Sequence, residues 1–271
     1  IELRGLSGNA TSGANVLILL DGVPQRRLSF GGPYLGALPF EAVQRMELVK
    51  GAQASLYGRN ALAGALQLFS DPGSADPRYG ASMTYEGETE DLRTSLKVSG
   101  PLGSRSPEQA PRGTYSLAGS FGHTAGWQPG TERSRSDAYF HADLSLGATE
   151  QLSFFGGFVD GSEEMVSPVF VDASGNPLPG FRRGTNIAVE GHNNLDLQEA
   201  RAGARYTRDW SDHLRSRLTL AYWHGDTHWD VGRPDDQPAT GTLVARPTDK
   251  RDFREHSLFS ELEVSGDYRI G

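Results

Sequence analysis

From Tyr79 onward the sequence alternates between apolar and polar residues, and this period of two limits the chain to a β fold. In the run LRTSLKVSG (residues 92–100), leucine, threonine and valine occupy one parity and arginine, serine and lysine the other. Successive side chains of a strand point to opposite faces, so each run predicts a strand between an apolar and a polar environment. Eight strands are predicted, at roughly 79–88, 91–99, 114–123, 137–147, 151–161, 195–209, 213–230 and 252–270.

The lengths of these runs and of their connections favour a membrane barrel. Each run has about ten residues or more, enough to cross a bilayer when tilted, whereas strands of soluble sheets average about five or six. Tight connections at 149–151 and 211–212 alternate with long polar ones at 162–194 and 231–251. The connection 100–113 is an exception, because it is long although it lies on the side of the short turns. Short turns at one rim and long loops at the other are typical of outer-membrane barrels. A soluble sandwich or propeller would also alternate and stays open as an alternative.

Composition excludes several other classes. The net charge of −8 argues against nucleic acid as the main partner, and the absence of cysteine excludes a disulfide scaffold and thiol catalysis. The longest apolar run, 16–20, is far shorter than a membrane helix requires. The sequence contains no nucleophile elbow, zinc-protease motif or phosphate loop, so we expect neither an enzyme nor a cofactor.

The first 75 residues lack the long alternating runs and are rich in glycine. Two short apolar strands are expected at 16–20 and 46–49, with a turn at 21–24 after the first and one helical turn opened by Pro39 over 39–45. The segment 49–70 concentrates glycine and alanine and ends in a further short apolar strand. Two prolines mark 71–78 as a linker.

This first region resembles the second half of the plug domain of TonB-dependent outer-membrane receptors. The resemblance covers about 70 residues in several ordered blocks, including the apolar strand that ends in Asp-Gly-Val-Pro. Departures are mild, with Gln44 where the family usually has Glu and Ala52 where Pro is common. The matching positions are Arg4, Gly5, Asp21, Gly22, Val23, Pro24, Pro39, Val43, Arg45, Met46, Glu47, Val49, Gly51, Tyr57, Gly58, Ala61, Gly64 and Leu66.

The resemblance implies an antiparallel membrane β-barrel with a small α+β plug domain. Residues 1–75 would be the C-terminal half of the plug and 76–271 the first part of the barrel. A barrel of roughly 22 strands has a plugged lumen. We therefore expect the eight predicted strands to be about eight of roughly 22. A closed barrel of eight strands would have no room for a plug, so we expect these strands to form an open sheet, or part of a barrel that further chain completes.

Contacts between plug and barrel are expected at Arg45, Glu47 and Arg59. By resemblance, Arg45 and Glu47 belong to a plug cluster that faces the barrel wall; ordinary solvated strand charges are an equal alternative. Their expected partners are the polar-parity charges Arg93, Lys97, Arg215, Glu261 and Glu263. Asp21 and Gly22 are interpreted most simply as turn residues.

Ligand contacts are expected in the loop that the family places at the outer apex of the plug. Arg26, Arg27, Phe30 and Tyr34 could contact an anionic or aromatic chelate, although a solvated loop is an open alternative. His224, Asp226, His228 and Asp230 share one strand face, but their parity continues the lipid side, so we expect no metal site.

The expected function is uptake of a scarce nutrient across the bacterial outer membrane, with a ferric siderophore as the favoured cargo. The expected partners are TonB with ExbB and ExbD, acting through an N-terminal box that would precede Ile1, and outer-membrane lipid and lipopolysaccharide. Cobalamin, saccharide or other metal-chelate transport, a signalling receptor of the same fold, and a soluble secreted β-protein remain alternatives.

Overall fold

A computed structural model of the chain describes residues 2–3, 6–7, 16–25, 35–51, 61, 64–103, 112–127, 131–164, 194–234 and 245–266. Within these residues almost all regular structure is β, with two single 3-10 turns at Leu35–Ala37 and Phe40–Ala42. No helix among them is long and apolar enough to span a membrane.

Eight long strands form one antiparallel sheet, here called the wall sheet. Each strand pairs with its neighbour in sequence, as expected for connections between adjacent strands. The lengths increase along the chain from 9 to 22 residues. The strands are β7 (Arg78–Glu86), β8 (Asp91–Leu102), β9 (Gly113–Thr124), β10 (Arg133–Ser145), β11 (Glu150–Glu164), β12 (Asn194–Ser211), β13 (Leu214–Pro234) and β14 (Ala245–Gly266).

The wall sheet confirms the prediction from alternation. All eight predicted runs are strands. Their boundaries differ from prediction by at most four residues, except that β14 begins seven residues earlier than predicted, and the strand order runs from β7 at one edge to β14 at the other. Among the described strands β7 and β14 do not pair with each other, so the sheet is open, as predicted.

The outer face of the wall sheet is a continuous apolar surface. The register places Phe140 opposite Leu117, and Leu220 opposite Ala204 and Ser260, so that side chains of one parity share this face across the strands. Large apolar side chains exposed on it include Tyr79, Met83, Leu96, Leu117, Phe140, Phe154, Phe158, Leu218, Leu220, Leu258 and Leu262. Such an extent of exposed apolar surface is atypical of a protein surrounded by water and suits contact with lipid.

The small sheet formed by residues 16–70, here called the plug sheet, packs against the inner face of the wall sheet. Its order is β4 (Val23–Pro24), β3 (Val16–Leu20), β6 (Gly64–Ser70) and β5 (Val43–Lys50), and two further short strands, β1 (Glu2–Leu3) and β2 (Leu6–Ser7), pair with each other. The strand β3 runs parallel to β6, and all five of its residues are buried. Fully buried strands read as continuous apolar runs, which explains why VLILL does not alternate.

One apolar core joins the two sheets. Ile18, Leu20 and Leu68 of the plug sheet pack in one cluster with Tyr139 and Phe155 of the wall sheet. Burying each such side chain stabilises the fold by about 1.5–3 kcal/mol. The inner face of the wall is therefore part of the core of the plug.

The plug region differs from prediction at one element. The helical turn expected over 39–45 is limited to the 3-10 turn Phe40–Ala42, because Val43 already begins β5 and pairs with Ser70 of β6. Proline favours the start of a helical turn, but ladder pairing with a buried strand determines where the turn ends.

An arginine in the middle of the outer face should test the assignment of this face to lipid. We expect Leu220→Arg in the full-length protein to lower the free energy of unfolding by about 2–4 kcal/mol, because a cation at mid-bilayer depth is poorly solvated. The control His228→Arg lies on the same strand and face, eight residues nearer the rim, and should change it by about 0–1 kcal/mol. Urea unfolding in lipid vesicles measures both, and equal effects would contradict the assignment.

Candidate functional site: the contact between plug and wall

The contact between the two sheets centres on Asp21, at the end of the apolar strand β3. Asp21 and Gly22 form the two-residue turn between β3 and β4, and both have positive φ, 50° and 77°. Asp-Gly is a preferred pair for such a turn, because both positions require a left-handed backbone. The turn directs the Asp21 side chain into the buried contact, where the residue is 4% exposed.

Three donors satisfy the Asp21 carboxylate. The amide of Ser70 donates to Oδ1 at 2.9 Å, and the Ser70 hydroxyl donates to Oδ2 at 2.8 Å. The Tyr139 hydroxyl of strand β10 donates to Oδ2 at 2.7 Å. A buried carboxylate is tolerated when it is well hydrogen-bonded, so Asp21 joins two strands of the plug to the wall.

His141 of the wall extends this arrangement. Its Nδ1 lies 2.6 Å from the Ser70 hydroxyl oxygen and its Nε2 lies 3.2 Å from Oδ1 of Asp143. Because the Ser70 hydrogen is donated to Asp21, Nδ1 must donate to Ser70, and Nε2 must donate to the Asp143 carboxylate. Both ring nitrogens then carry hydrogen, which is the positively charged form of histidine.

The charge balance keeps Asp21 ionised. Burial raises the pKa of the Asp21 carboxyl, but its interactions with His141, Ser70 and Tyr139 outweigh burial and lower that pKa. His141 Nδ1 lies 3.8 Å from Asp21 Oδ2. Arg205 of β12 also donates to the Asp21 backbone carbonyl. The plug carboxylate is thus held among wall cations.

Two further wall arginines bind the plug backbone. Arg201 donates to the carbonyl of Ala37 at 2.8 Å and to Oε1 of Gln25 at 2.6 Å. Arg135 donates to the carbonyl of Leu38 at 2.6 Å. These carbonyls lie in the irregular segment around the first 3-10 turn and have no partner in a sheet. A buried carbonyl oxygen needs a hydrogen-bond donor, and the arginines supply it.

The plug meets strands β7–β9 differently. Lys97 Nζ lies 3.4 Å from Oε2 of Glu41, with the two side chains 52% and 40% exposed. Beside this ion pair lies a cavity of about 230 Å³. Its lining combines the plug with β7–β9 and includes Glu41, Val43, Asp71, Arg78, Lys97, Ser99, Ser116 and Ala118.

Of the three residues predicted to contact the wall, the structure describes Arg45 and Glu47. Arg45 and Glu47 lie on β5 and pair with each other, with side chains 60% and 44% exposed, and Arg45 lies over the Phe69 ring at 4.1 Å. Arg59 lies outside the described residues, as do Arg4, Gly5, Tyr57 and Gly58 of the plug motif. Gly51 follows directly after β5 with φ +104°, and Gly64 begins β6.

Of the expected barrel partners, Lys97 contacts the plug, through Glu41. Arg93 pairs with Asp91 at 2.6 Å, Arg215 with Asp209 at 2.5 Å and Glu263 with Arg217 at 3.0 Å, all within the wall. The expected ligand residues Arg26, Arg27, Phe30 and Tyr34 lie outside the described residues.

The histidine and aspartate run of β13 lies on the outer face, as its parity predicted. The ring of His224 stacks on that of His256 at 4.7 Å, and Asp226 accepts from Arg254 at 2.9 Å. His228 contacts Asp252 at 2.5 Å. Within the described residues no group of three or more potential ligands is arranged to hold a metal ion.

Sequence reasoning missed Tyr139, His141, Arg201, Arg205 and Arg135 as residues that hold the plug. A signal was present, because all five fall on the inner parity of their strands, and Arg201 and Arg205 alternate with alanines on the outer parity. The parity fixes the face on which they lie, but not their partners in the plug, which are 71 to 184 residues away in the sequence.

Neutralising Asp21 should loosen the plug. We expect Asp21→Asn in the full-length protein to lower the free energy of unfolding by about 3 kcal/mol, because the buried His141 cation loses one of its two neighbouring carboxylates and an amide group cannot accept from all three donors. The control Asp91→Asn removes a carboxylate from a surface ion pair whose arginine, Arg93, is 74% exposed, and should cost at most about 1 kcal/mol. The denaturant midpoint of each variant is measured in detergent, with proteolysis of the plug as the signal for unfolding. Equal midpoints for the two variants would contradict this role of Asp21.

The lowered pKa of Asp21 also predicts acid sensitivity. A group whose pKa is lower in the folded state than in the unfolded state stabilises the fold fully above its unfolded value, here 3.8. That contribution is lost as the pH falls from about 4 through the folded pKa. Protease sensitivity of the plug should therefore rise below about pH 4, and less steeply in Asp21→Asn than in the wild type; parallel pH profiles would refute this assignment.

Several known proteins are similar to this chain in sequence. The TonB-dependent receptor plug domain family matches residues 1–65. The vitamin B12 transporter BtuB of Vibrio vulnificus (strain YJ016) is 31% identical over 102 residues, which are 38% of this chain and 16% of the relative. BtuB of Vibrio cholerae (strain M66-2) is 36% identical over 69 residues, 26% of this chain and 11% of the relative.

Solved receptors share the fold over nearly the whole chain. The pyoverdine outer membrane receptor FpvA of Pseudomonas aeruginosa PAO1 superposes with a TM-score of 0.78 at 18% identity, covering 95% of this chain and 37% of the receptor. The ferric-catecholate import receptor Fiu of E. coli K12 gives 0.76 at 16% identity, covering 99% and 41%. The chain thus spans well under half of these relatives. Its first 65 residues carry the plug domain of TonB-dependent receptors, and its sheet shares the fold of outer-membrane receptors that contain this domain.

Proposed function

We propose that this receptor takes up a scarce nutrient from outside the cell, and that its cargo is a ferric siderophore. The observation that carries the proposal is the plug seated on the inner wall through the buried Asp21 carboxylate. A barrel whose lumen is occupied in this way is no open diffusion pore. Movement of cargo then requires work on the plug, which is the role of the TonB partner proposed here.

The nature of the cargo is supported by relatives of similar fold. FpvA is described bound to pyoverdine, Fiu as a ferric-catecholate import receptor, and PiuA of Acinetobacter baumannii as a siderophore receptor with a TM-score of 0.72. At 15–18% identity these likenesses concern the fold, so their cargo is the basis of a proposal for this chain.

Cobalamin is the second candidate, because of a different observation. Relatives found by sequence include vitamin B12 transporters, and the match to the Vibrio vulnificus protein reaches 31% identity. That match extends over 102 residues, more than the 65 of the plug-domain match. TonB would pull on the plug in the same way for either cargo. Similarity in and just after the plug is therefore compatible with a ferric siderophore or with cobalamin.

The proposed partners are TonB with ExbB and ExbD on the periplasmic side, and lipopolysaccharide around the apolar outer face. The ligand contacts remain proposed at Arg26, Arg27, Phe30 and Tyr34. Arginine and aromatic side chains suit a planar, negatively charged chelate, because guanidinium binds anions and stacks on rings.

Uptake by cells with and without the intact gene tests the cargo. We expect iron-55 accumulation from one class among hydroxamate, catecholate and carboxylate siderophores to fall at least tenfold on deletion of this gene or of tonB. Cobalt-57 cobalamin serves as the parallel arm. Loss of cobalamin uptake with iron uptake intact would replace the first candidate by the second, and no change in either arm would refute both.

A paired substitution then tests the ligand loop. The double variant Arg26→Ala/Arg27→Ala should weaken binding of the identified chelate about tenfold or more, while Arg93→Ala, which removes an exposed arginine paired within the wall, should leave binding unchanged. Equal affinities for the two variants would place the ligand contacts elsewhere.

A further inference from the structure

The apolar outer face of the wall sheet is bounded by polar residues at both ends of its strands. On β12 three outward alanines and Tyr206 lie between Gln198 at one end and Arg208 at the other. Ten residues separate Gln198 from Arg208, which is about 33 Å along a strand and about 25 Å across a membrane at a tilt of about 40°. That is the height of the apolar band on outer-membrane barrels, so Arg208 lies at the level where lipid headgroups begin.

Arg208 lies at the rim where the connections between strands are short. Strand β12 ends at Ser211 and β13 begins at Leu214, and the connection from β10 to β11 spans only residues 146–149. Short turns lie on the periplasmic side of outer-membrane barrels. The leaflet on that side consists of glycerophospholipids, whereas lipopolysaccharide forms the outer leaflet. Outward side chains at this rim therefore meet phospholipid headgroups.

Five connected side chains occupy this rim on the interior strands β11–β13. Arg208 Nη1 lies 3.2 Å from Oε1 of Glu150, and the Tyr206 hydroxyl donates to the same Oε1 at 2.9 Å. Arg208 Cζ lies 4.1 Å from the centre of the Trp210 ring, and Trp210 Nε1 donates to the Ser216 hydroxyl oxygen at 2.8 Å. The register places Glu150, Arg208 and Ser216 side by side on the outer face. These residues are here called the rim group: Glu150, Tyr206, Arg208, Trp210 and Ser216.

The rim group combines one cation and one anion that keep bonding capacity. A guanidinium has five N–H donors and a carboxylate about four acceptor positions, so their mutual contact uses only part of either group. The side chains of Arg208 and Glu150 are 40% and 30% exposed, which leaves both within reach of a lipid headgroup. Guanidinium suits phosphate, carboxylate suits ammonium, and the contact with the Trp210 ring favours one position of the guanidinium. A headgroup with phosphate and ammonium two carbons apart complements both charges.

We propose that the rim group binds the headgroup of an ethanolamine phospholipid in the periplasmic leaflet, with the phosphate on Arg208 and the ammonium on Glu150. The headgroup of phosphatidylglycerol carries a phosphate but no ammonium. Its phosphate would compete with Glu150 for Arg208 without offering Glu150 a new partner. The pair therefore selects a zwitterionic over an anionic headgroup, and this selection is independent of the cargo and of the transport proposed above.

Photo-cross-linking of the full-length receptor in vesicles tests the site. The vesicles consist of phosphatidylcholine, whose quaternary ammonium cannot donate a hydrogen bond to Glu150. They contain a trace of phosphatidylethanolamine with a diazirine near the headgroup, and unlabelled phosphatidylethanolamine or phosphatidylglycerol is added as competitor. Asp209→Asn and Arg215→Gln are the matched controls, because this ion pair of 2.5 Å lies at the same depth on the inner face.

We expect the cross-links to concentrate on peptides from the short-turn ends of β11–β13. Unlabelled phosphatidylethanolamine should compete about fivefold better than phosphatidylglycerol, which is the size of effect that one exposed charge contact can supply. Glu150→Gln should abolish this preference, and Arg208→Gln should lower the cross-linking yield about fivefold. Both control variants should match the wild type.

Equal competition by the two lipids in the wild type would overturn the proposal, because the rim would then be an aromatic girdle without headgroup selectivity. Cross-links spread evenly around the wall, or control variants that behave like Glu150→Gln, would overturn it as well. Stronger competition by lipopolysaccharide than by phosphatidylethanolamine would overturn it by assigning this rim to the other leaflet. Protease resistance of each variant before cross-linking shows that it is folded, so that a lower yield reports on lipid binding.

Discussion

The structure depends on one buried carboxylate. Asp21 leaves water at the end of an apolar strand, and that loss of hydration is compensated when donors are fixed around it. Ser70 supplies two of the donors from the plug and Tyr139 supplies one from the wall, at 2.7–2.9 Å. Because the donors come from both sheets, satisfying the charge and docking the plug are the same event.

Close approach of backbones makes this docking possible. At Gly22, next to Asp21, a Cβ atom would lie 3.1 Å from a guanidinium nitrogen of Arg205, and φ is +77°. At Gly73, in the linker, a Cβ would lie 2.5 Å from the backbone oxygen of Tyr115, and φ is +93°. Both positions combine a left-handed backbone with contact to the wall, so only glycine meets both requirements. The abundance of small residues near the plug therefore reflects proximity to the wall at these positions as well as turn formation.

Much of the fold could be predicted from the sequence, because alternation fixes both the strand and the face. The outer face of Leu96 or Phe140 follows from parity alone, and the inner placement of Tyr139 and His141 follows from the same pattern. Their partners could not be predicted in this way. Tyr139 meets Asp21 across 118 positions, and Arg205 meets it across 184, and no local pattern encodes such a pairing. Contact of Arg45 and Glu47 with the wall stays a prediction from resemblance; among the described residues, these two have equal parity on one strand and pair with each other.

The same physics explains why Asp21, and not the exposed charges of the plug, joins the two sheets. The electrostatic attraction between unit charges is strong where water is excluded, as around Asp21, and weak where water screens it, as between Arg45 and Glu47. A buried carboxylate also loses its hydration, so it must keep its donors, and those donors fix its position. Burial, and not the number of charges, therefore determines which contacts hold the plug against these strands.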